Sequence, residues 1–263
     1  MQEDRRQRQP TRPRSINVAV LKLPAISNFT DLEVLEKEKD VIINYLSSPS
    51  TLSKDYDCVI LPGTKNVMED TRWLSMTGWK KAIGQFANSG KKIFGICGGY
   101  QILGKKIKDP FSVESNRKEV KGLDLLPLIT SLEEHKIVRK VTGISLINNR
   151  KITGYEIHMG ITGVINKIGE PFLRIHEEGE KTSWQDGWSI DSGRITGTYV
   201  HGILDTPGFR EVFLNGLRKE KGLMPRKSCK TGRRKDKEYD RLADHFEKNC
   251  DVERIIQIVT KRV

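Results

Sequence analysis

A cysteine flanked by glycines, between a predicted strand and a predicted helix, constrains this chain more than any other feature. Residues 91–104 read KKIFGICGGYQILG. The apolar run Ile93–Ile96 is typical of a buried strand, and the residues that follow the cysteine are compatible with a helix. Cys97 has Gly95 two residues before it and Gly99 two residues after it. A side chain on a sharp strand-to-helix turn needs such small neighbours, because a Cβ there would meet the returning backbone.

This position predicts that Cys97 is a nucleophile. The first free N–H groups of the following helix carry partial positive charge, which favours the thiolate over the thiol. The alternative is a buried core cysteine at the end of a strand. The paired glycines favour the nucleophile.

Length and composition predict a soluble α/β protein. The chain has 263 residues, of which 36% are hydrophobic and 30% are charged, enough for one large domain with a sizeable core. We find no apolar run long enough to span a membrane and no apolar signal region. The four cysteines show no C-x-x-C pair and no metal spacing, so we expect a reducing cytoplasm and no bound metal.

The net charge of +12 raises the question of a nucleic-acid partner. Basic residues concentrate in the first fourteen residues, which hold five arginines, and in the segment 226–237. Neither segment interleaves aromatic residues with the basic ones, as a stacking platform for single strands does. We therefore interpret both as solvated basic segments and expect no specific nucleic-acid site.

Strands alternate with helical stretches along the first hundred residues, a pattern that predicts a mostly parallel sheet with helices on both faces. We expect a basic disordered arm at 1–14, the main domain at 15–208, and a C-terminal helical extension of the same domain at 209–263. The elements expected with clear boundaries are strands at Ile16–Leu23, Val41–Leu46, Asp57–Leu61, Ile93–Ile96 and Ile195–His201, and helices at Trp79–Ala87, Arg241–Phe246 and Asp251–Val259. Between 109 and 150 the pattern indicates only additional short strands.

Sites in such a sheet form at the carboxyl ends of the strands. Gly63 ends one strand and Gly98 follows the cysteine, so their backbone N–H groups are candidates for an oxyanion hole. A Pro-Gly pair such as the one at Gly63 is also common in plain turns. His201 ends a late strand and precedes a glycine, a suitable position for a general base.

The motifs together resemble the class I glutamine amidotransferases, which have a flavodoxin-like sheet. Within that superfamily the chain resembles the amidotransferase part of cobyric acid synthases, enzymes of cobalamin biosynthesis. The opening LPAISNFTD is the most specific of the matching segments, which together cover residues 16 to 260. These segments are LKLPAISNFTD (21–31), VILPGTKN (59–66), GICGGYQILG (95–104), GYEIHMG (154–160), GTYVHGILD (197–205) and DRLADH (240–245).

The resemblance implies roles for individual residues. Cys97 would attack the side-chain amide of L-glutamine, His201 would move the proton, and Gln101 would contact the substrate. Glu156 and His158 match a family motif, but no chemical step requires them. Many class I enzymes carry a glutamate two residues after the histidine, and Ile203 stands there in this chain. The residue that orients the histidine is therefore unidentified; Asp205 is near it in the sequence.

The resemblance also implies a partner. Cobyric acid synthases have an additional synthetase domain that binds ATP, magnesium and the corrinoid, and nothing in this sequence resembles it. We find no phosphate-binding G-x-x-x-x-G-K-[ST] motif. We expect no cofactor in this chain and an ATP-binding synthetase domain or subunit as its partner.

Three other functions stay open. One is the glutaminase subunit that serves lipid II amidation, against which the SNFTD opening and the DRLADH tail argue. Another is a degenerate, non-catalytic interaction module, which the retained Cys97, Gln101 and His201 disfavour. The last is a related cysteine hydrolase such as a peptidase, which would leave Gln101 unexplained.

Overall fold

A computed structural model describes residues 9–229 and 232–260 of the chain. It divides into two compact units, the first ending at Ser228 and the second beginning at Cys229. Within the described residues no helix is both long and apolar enough to cross a membrane.

Eleven strands of the described residues form one sheet in the order β2-β1-β3-β4-β11-β10-β9-β7-β5-β6, with β8 paired to β7. The strands are β1 (Ile16–Leu21), β2 (Val41–Leu46), β3 (Cys58–Leu61), β4 (Lys92–Ile96), β5 (Lys106–Lys108), β6 (Glu119–Lys121), β7 (Leu128–Ser145), β8 (Lys151–Val164), β9 (Glu170–Glu177), β10 (Ser183–Ile190) and β11 (Ile195–Thr198).

The five strands β2, β1, β3, β4 and β11 are mutually parallel. Every residue of β1, β3 and β11 is buried, because a parallel sheet is covered on both faces and its strands read as continuous apolar runs. The predicted α/β class is confirmed, and the four early strands lie where the sequence predicted them. The late strand ends at Thr198, so His201 follows it instead of belonging to it.

The sheet continues beyond β11 in strands that are largely antiparallel. β10 pairs antiparallel with β11 and β9, and β9 pairs in the same way with β7. β7 and β8 form a long antiparallel hairpin whose register shifts between Leu132 and Ile137. The sequence indicated only short strands here, because alternating polar and apolar residues interrupted by glycine do not show how far a strand runs.

The helices are α1 (Thr30–Glu36), α2 (Val67–Met76), α3 (Trp79–Asn88), α4 (Gly98–Leu103), α5 (Pro207–Glu220), α6 (Gly232–Asn249) and α7 (Val252–Thr260). The prediction of α3 is confirmed within one residue, whereas α2 was not predicted. The side chain of Asn66 caps α2 by accepting from the Glu69 N–H at 2.9 Å, a common way for a helix to begin.

The first unit is longer than the sequence predicted. Phe209, Leu214 and Leu217 of α5 are fully buried with the residues of the sheet core, so the first unit runs to Ser228 instead of ending at 208. In the second unit, α6 and α7 contain the two predicted helical segments. Their apolar positions predicted helices correctly, but sequence alone did not show where the first unit ends.

Part of the predicted arm contacts the first unit. Residues 1–8 lie outside the described residues. Gln9 exchanges two backbone-to-side-chain hydrogen bonds with Asn44 on β2, at 2.8 and 3.0 Å, and the Arg12 N–H donates to the Asn17 side chain at 3.0 Å. Residues 9–14 therefore do not form the free arm that their composition predicted, because side-chain amides of the parallel strands bind their backbone.

Candidate active site

Cys97 lies on the turn between β4 and α4 with backbone angles φ 52° and ψ −110°, and only 8% of it is exposed. A positive φ is rare for a residue with a Cβ and is held only where the surroundings enforce it. The two glycines make the turn possible. A Cβ on Gly95 would come within 2.8 Å of the Gly99 carbonyl, and a Cβ on Gly99 would overlap the carbonyl oxygen of Leu61.

The neighbouring strand brings His201 to the same edge of the sheet. The backbone N–H of Cys97 donates to the Thr198 carbonyl at 2.8 Å, and Thr198 pairs with Ile96 at the end of both parallel strands. The chain then continues to His201, which is fully buried. Gly202 follows with φ 71°, a conformation that suits glycine and turns the chain away after the histidine.

Asp31 is the residue that orients His201. Nδ1 of His201 donates to Asp31 Oδ2 at 2.7 Å, and the Gly202 N–H donates to Asp31 Oδ1 at 2.8 Å. A carboxylate on Nδ1 fixes the tautomer in which Nε2 is unprotonated and free to accept a proton. Asp31 lies in the first turn of α1 and is 4% exposed.

The sequence did not predict this contact, although Asp31 is the last residue of the matching segment SNFTD. Its side chain meets a histidine 170 positions later, because β1 and β11 end at the same edge of the sheet. Asp205, which is closer to the histidine in sequence, has its carboxylate 3.7 Å from where a Cβ of Gly202 would lie. The signal that could have identified Asp31 was its position in the segment that links the first parallel strand to the next one, at the carboxyl end of that strand.

The loop before Asp31, residues 24–29, is held against the loop that contains Gly63. The Ser27 N–H donates to the Gly63 carbonyl at 2.9 Å. The carboxylate of Asp70 accepts from the Ala25 N–H at 3.2 Å and from the Thr64 hydroxyl at 2.5 Å. Two loops that follow β1 and β3 are thereby fixed beside the histidine.

Two side chains pack against the imidazole ring of His201. The ring of Tyr155 stacks on it with the centroids 5.2 Å apart. Nδ2 of Asn28 lies 3.0 Å from Nε2 and 3.3 Å from Nδ1. One atom cannot lie along the lone-pair directions of both nitrogens, so the Asn28 amide contacts the face of the ring.

Burial raises the pKa of the Cys97 thiol to about 12, although the Gly98 N–H acts to lower it; the carboxylates Asp31, Asp186 and Glu114 raise it further. The prediction that Cys97 favours the thiolate is therefore wrong for the protein without bound substrate. α4 has only six residues, and its N-terminal charge is outweighed by the loss of water around the sulfur. The thiol instead donates to the Ile157 carbonyl at 3.5 Å.

Gly63 and Gly98, the expected oxyanion-hole residues, lie beside His201 and Cys97 respectively. A Cβ on Gly63 would lie 3.1 Å from Cε1 of His201. A Cβ on Gly98 would lie 2.5 Å from the Thr64 methyl carbon. The two loops touch, and glycine at both positions lets them approach.

Gln101 is 4% exposed and lies one helical turn after the cysteine, with its N–H donating to the Cys97 carbonyl at 3.1 Å. Its side chain donates through Nε2 to the Tyr199 hydroxyl at 3.1 Å. The predicted position on the face of α4 that bears Cys97 is consistent with this geometry.

Glu156 and His158 lie on β8 and are both buried. Burial acts to raise the pKa of Glu156, but His158 and Arg139 together lower it, and Arg139 Nε donates to Glu156 at 2.5 Å. The guanidinium of Arg139 also covers the Trp184 ring at 3.8 Å. Glu156 is thus a buried carboxylate that is paired with Arg139.

Within the described residues, no group of three or more His, Cys, Asp or Glu side chains could hold a metal ion.

A cysteine on a strand-to-helix turn and a histidine bound to a carboxylate thus lie at one edge of an α/β sheet, after the parallel-paired strands β4 and β11. In a comparison with protein families, the sequence model of the CobB/CobQ-like glutamine amidotransferase domain matches residues 17–209 of this chain. The chain belongs to this family.

Its curated relatives include cobyric acid synthases. The enzyme from Clostridium botulinum (strain Loch Maree / Type A3) is 42% identical over 247 residues, which are 93% of this chain and 50% of that protein. The enzyme from Clostridium tetani is 40% identical over 245 residues, covering 93% and 49%. The chain therefore spans about half the length of the relatives that it matches.

Solved structures agree on the fold. PurLQS from Thermotoga maritima superposes with a TM-score of 0.57 at 19% identity, over 77% of this chain and 99% of that one. A crystal structure of a glutamine amidotransferase gives a TM-score of 0.56 at 14% identity, over 78% and 99%. The predicted amidotransferase fold is confirmed.

Proposed function

We propose that this chain is the glutaminase part of a cobyric acid synthase, and that it releases ammonia from L-glutamine at Cys97. The observation that carries the proposal is the buried pair of His201 and Asp31, joined at 2.7 Å, beside a cysteine on a strand-to-helix turn. A carboxylate–imidazole pair next to a thiol has the parts that acyl transfer needs.

The reaction begins when Nε2 of His201 takes the thiol proton. Sγ of Cys97 then bonds to the side-chain carbonyl carbon of glutamine, and the carbonyl electron pair moves onto oxygen. The N–H groups of Gly63 and Gly98 are the donors that we assign to that oxyanion. When the oxyanion collapses, the carbon–nitrogen bond breaks and His201 returns its proton to the departing nitrogen, giving ammonia and a glutamyl thioester.

Water completes the cycle. His201 removes a proton from a water molecule, whose oxygen attacks the thioester carbon. The carbon–sulfur bond breaks, glutamate leaves, and the sulfur regains a proton. Throughout, Asp31 stabilises the imidazolium and holds its tautomer.

The raised pKa of Cys97 affects when the thiol ionises. A thiol whose pKa is about 12 is protonated in the resting enzyme, so we assign its proton transfer to His201 to the complex with bound glutamine, immediately before attack. A protonated, buried thiol is also a poor target for stray alkylating or oxidising agents.

The ammonia would serve ATP-dependent amidation of the side-chain carboxylates of adenosylcobyrinic acid a,c-diamide. Support comes from the identity of about two fifths to cobyric acid synthases over 93% of this chain. The other half of those relatives is where we expect ATP, magnesium and the corrinoid to bind, with that half acting as a domain or a separate subunit.

The test supplies glutamine labelled with ¹⁵N in its side-chain amide, together with ATP, magnesium and the corrinoid diamide. The chain is assayed alone and with a synthetase half of the Clostridium botulinum relative. We expect glutamate in both mixtures and ¹⁵N-amidated corrinoid only in the second. Amidation that runs on added ammonia but never on glutamine would contradict the proposal, and so would labelled lipid II in a parallel mixture with a cell-wall ligase.

A further inference from the structure

Tyr199 links the nucleophile helix to the antiparallel part of the sheet through its hydroxyl. That hydroxyl receives Nε2–H of Gln101 at 3.1 Å and lies 2.6 Å from the Thr162 hydroxyl. The Thr162 hydroxyl lies in turn 2.7 Å from that of Thr130. Since an amide nitrogen can only donate, the tyrosine oxygen accepts from Gln101 and its own hydrogen is directed to Thr162.

Neighbouring groups also fix the ring and backbone of Tyr199. His158 stacks on the ring with the centroids 3.8 Å apart and the planes 18° apart. Nδ1 of His158 donates to the Gly160 carbonyl at 2.9 Å, which holds the imidazole in place. The carboxylate of Asp186 accepts from the backbone N–H of Tyr199 at 3.3 Å. Tyr199 is 6% exposed, so it has one position available.

The hydroxyl is neutral as well as fixed. Burial raises the pKa of Tyr199 well above its ordinary value, although the hydrogen bonds with Thr162 and Gln101 act to lower it. The group therefore stays protonated at physiological pH and offers the Gln101 amide an uncharged acceptor.

The hydrogen bond to Tyr199 fixes the orientation of the Gln101 side-chain amide, and so fixes where its carbonyl oxygen points. The amide of Gln101 is planar, and Nε2 and Oε1 lie on opposite sides of its terminal carbon. With Nε2 held by Tyr199, the amide cannot turn over, and the acceptor Oε1 is fixed on the side away from that tyrosine; the second hydrogen of Nε2 stays on the side of Nε2. An acceptor attracts the NH₂ group of a carboxamide and repels a carboxylate, and a site built around a hydrogen-bonding partner strongly rejects an analogue that lacks it.

We propose that Tyr199 is a positioning residue for substrate choice. It holds Gln101 with its carbonyl oxygen toward the substrate, so that the site selects the side-chain amide of glutamine over the carboxylate of glutamate. This inference rests on the proposed glutaminase function and gives His158 a role as the support of Tyr199. It also accounts for release of the product, since hydrolysis converts the favoured amide into the disfavoured carboxylate.

The test measures binding of L-glutamine and L-glutamate by calorimetry in a Cys97→Ala background, in which the substrate is not consumed. Adding Tyr199→Phe removes the hydroxyl and keeps the stacked ring. We expect glutamine to bind about tenfold more weakly, the scale of one lost buried hydrogen bond, and the preference for glutamine over glutamate to fall by a similar factor. In the enzyme with Cys97 intact, KM rises while kcat changes less than about threefold.

The matched control is Tyr100→Phe, a second buried tyrosine whose ring packs edge-on against Tyr199 at 5.3 Å. It removes a hydroxyl from the same cluster, and we expect the preference for glutamine to be unchanged. Thr162→Val frees the hydrogen of Tyr199 to rotate and should give an intermediate loss. It also serves as the test if Tyr199→Phe fails to fold.

The outcomes separate this inference from the proposed function. If Gln101→Ala weakens glutamine binding while Tyr199→Phe and Thr162→Val leave the preference intact, the inference is wrong and the glutaminase function stands. If glutamine neither binds nor is hydrolysed by the unmodified chain, the proposed function itself fails. A loss of preference in Tyr100→Phe equal to that in Tyr199→Phe would also overturn the inference, because general disturbance of the cluster would then explain both.

Discussion

The parallel and antiparallel regions of the sheet contribute different things to the site. Asp31, Cys97 and His201 each follow the end of a parallel strand, β1, β4 and β11 respectively. The antiparallel region is β5 to β10, in which only β5 and β7 pair in parallel among the described residues. It supplies groups that contact these residues: the Tyr155 ring on His201 and the Ile157 carbonyl at the thiol. The parallel region thus carries the residues to which the proposed mechanism assigns proton transfer and bond formation, and the antiparallel region contacts them.

The difference has a geometric cause. Parallel strands all end at the same edge of the sheet, so residues far apart in sequence meet there as soon as the strands are ordered. An antiparallel hairpin instead runs past that edge and presents several successive residues to it. Substitutions in the first region should therefore reduce turnover, and substitutions in the second should reduce substrate affinity or stability.

The largest effect should come from Cys97→Ala, because the proposed thioester forms on its sulfur. We expect glutamine hydrolysis to fall by at least about 10⁴-fold with the melting temperature unchanged. Steady-state glutamate release measures it. Retention of more than a few per cent of activity would end the assignment of Cys97.

Cys58→Ala is the matched control. The thiol of Cys58 is also buried, and burial likewise raises its pKa to about 12. It begins β3 and donates to the Val59 carbonyl at 3.6 Å, so only its position distinguishes it from Cys97. We expect near-normal hydrolysis from this variant, since pKa alone does not make a nucleophile.

His201→Asn should come next, with thioester formation slowed by about 10²- to 10⁴-fold, the usual contribution of general acid–base catalysis. Rapid-quench measurement of glutamyl-enzyme formation tests it. His176→Asn changes a histidine on antiparallel β9, hydrogen-bonded to Thr142 at 3.1 Å, and should leave the rate within about twofold. If the two variants lost the same factor in the rate of glutamyl-enzyme formation, the distinction between the parallel and antiparallel regions would be wrong.

Asp31→Asn should reduce kcat by about 10²-fold or more, approaching the 10⁴-fold of the same change in a Ser-His-Asp triad. Asparagine cannot stabilise the imidazolium and permits the wrong tautomer. Asp205→Asn is the control, because the sequence offered Asp205 as the nearby candidate; we expect a change of less than about threefold. The reverse order of the two effects would assign the orienting role to Asp205.

How well the sequence predicted each region follows from the same geometry. Cys97 and His201 were predicted because glycines and strand ends mark them locally, and their catalytic roles stay predictions. Asp31 was not predicted, since its contact with His201 depends on the order β1-β3-β4-β11 across the sheet. No single segment of the sequence determines that order. The raised pKa of Cys97 was missed because the sequence shows the helix beside the sulfur but not the water lost around it.

The antiparallel region was predicted least well. Its site residues, such as Tyr155 and Asp186, lie in strands whose alternating pattern fixes which residues share a face but not which neighbour covers that face. Glu156 and His158 were noticed from the family motif alone, and their contacts with Arg139 and Tyr199 explain them as supports of the site.

The smallest effect on catalysis, and a measurable effect on stability, should come from Asp186→Asn. Burial raises the pKa of Asp186 to about 7, and Glu156 raises it further, while the Thr198 hydroxyl, the Tyr199 N–H and His158 act to lower it. A carboxyl that holds its proton more tightly in the folded than in the unfolded chain stabilises the fold below the unfolded pKa, and this contribution is lost as the pH rises through about 7.

Asparagine cannot ionise, so the variant should keep at pH 8 the stability that the wild type loses. A pKa raised from 3.8 to about 7 corresponds to about 4 kcal/mol at most. Urea unfolding at pH 5 and pH 8 measures about 3 kcal/mol of this, because the carboxyl of the unfolded chain is already ionised at pH 5. The wild type should lose that stability relative to the variant between the two pH values, while kcat at pH 7 changes less than about threefold. Parallel stability curves would mean that Asp186 is ionised throughout, and a large loss of kcat would place a catalytic group in the antiparallel region.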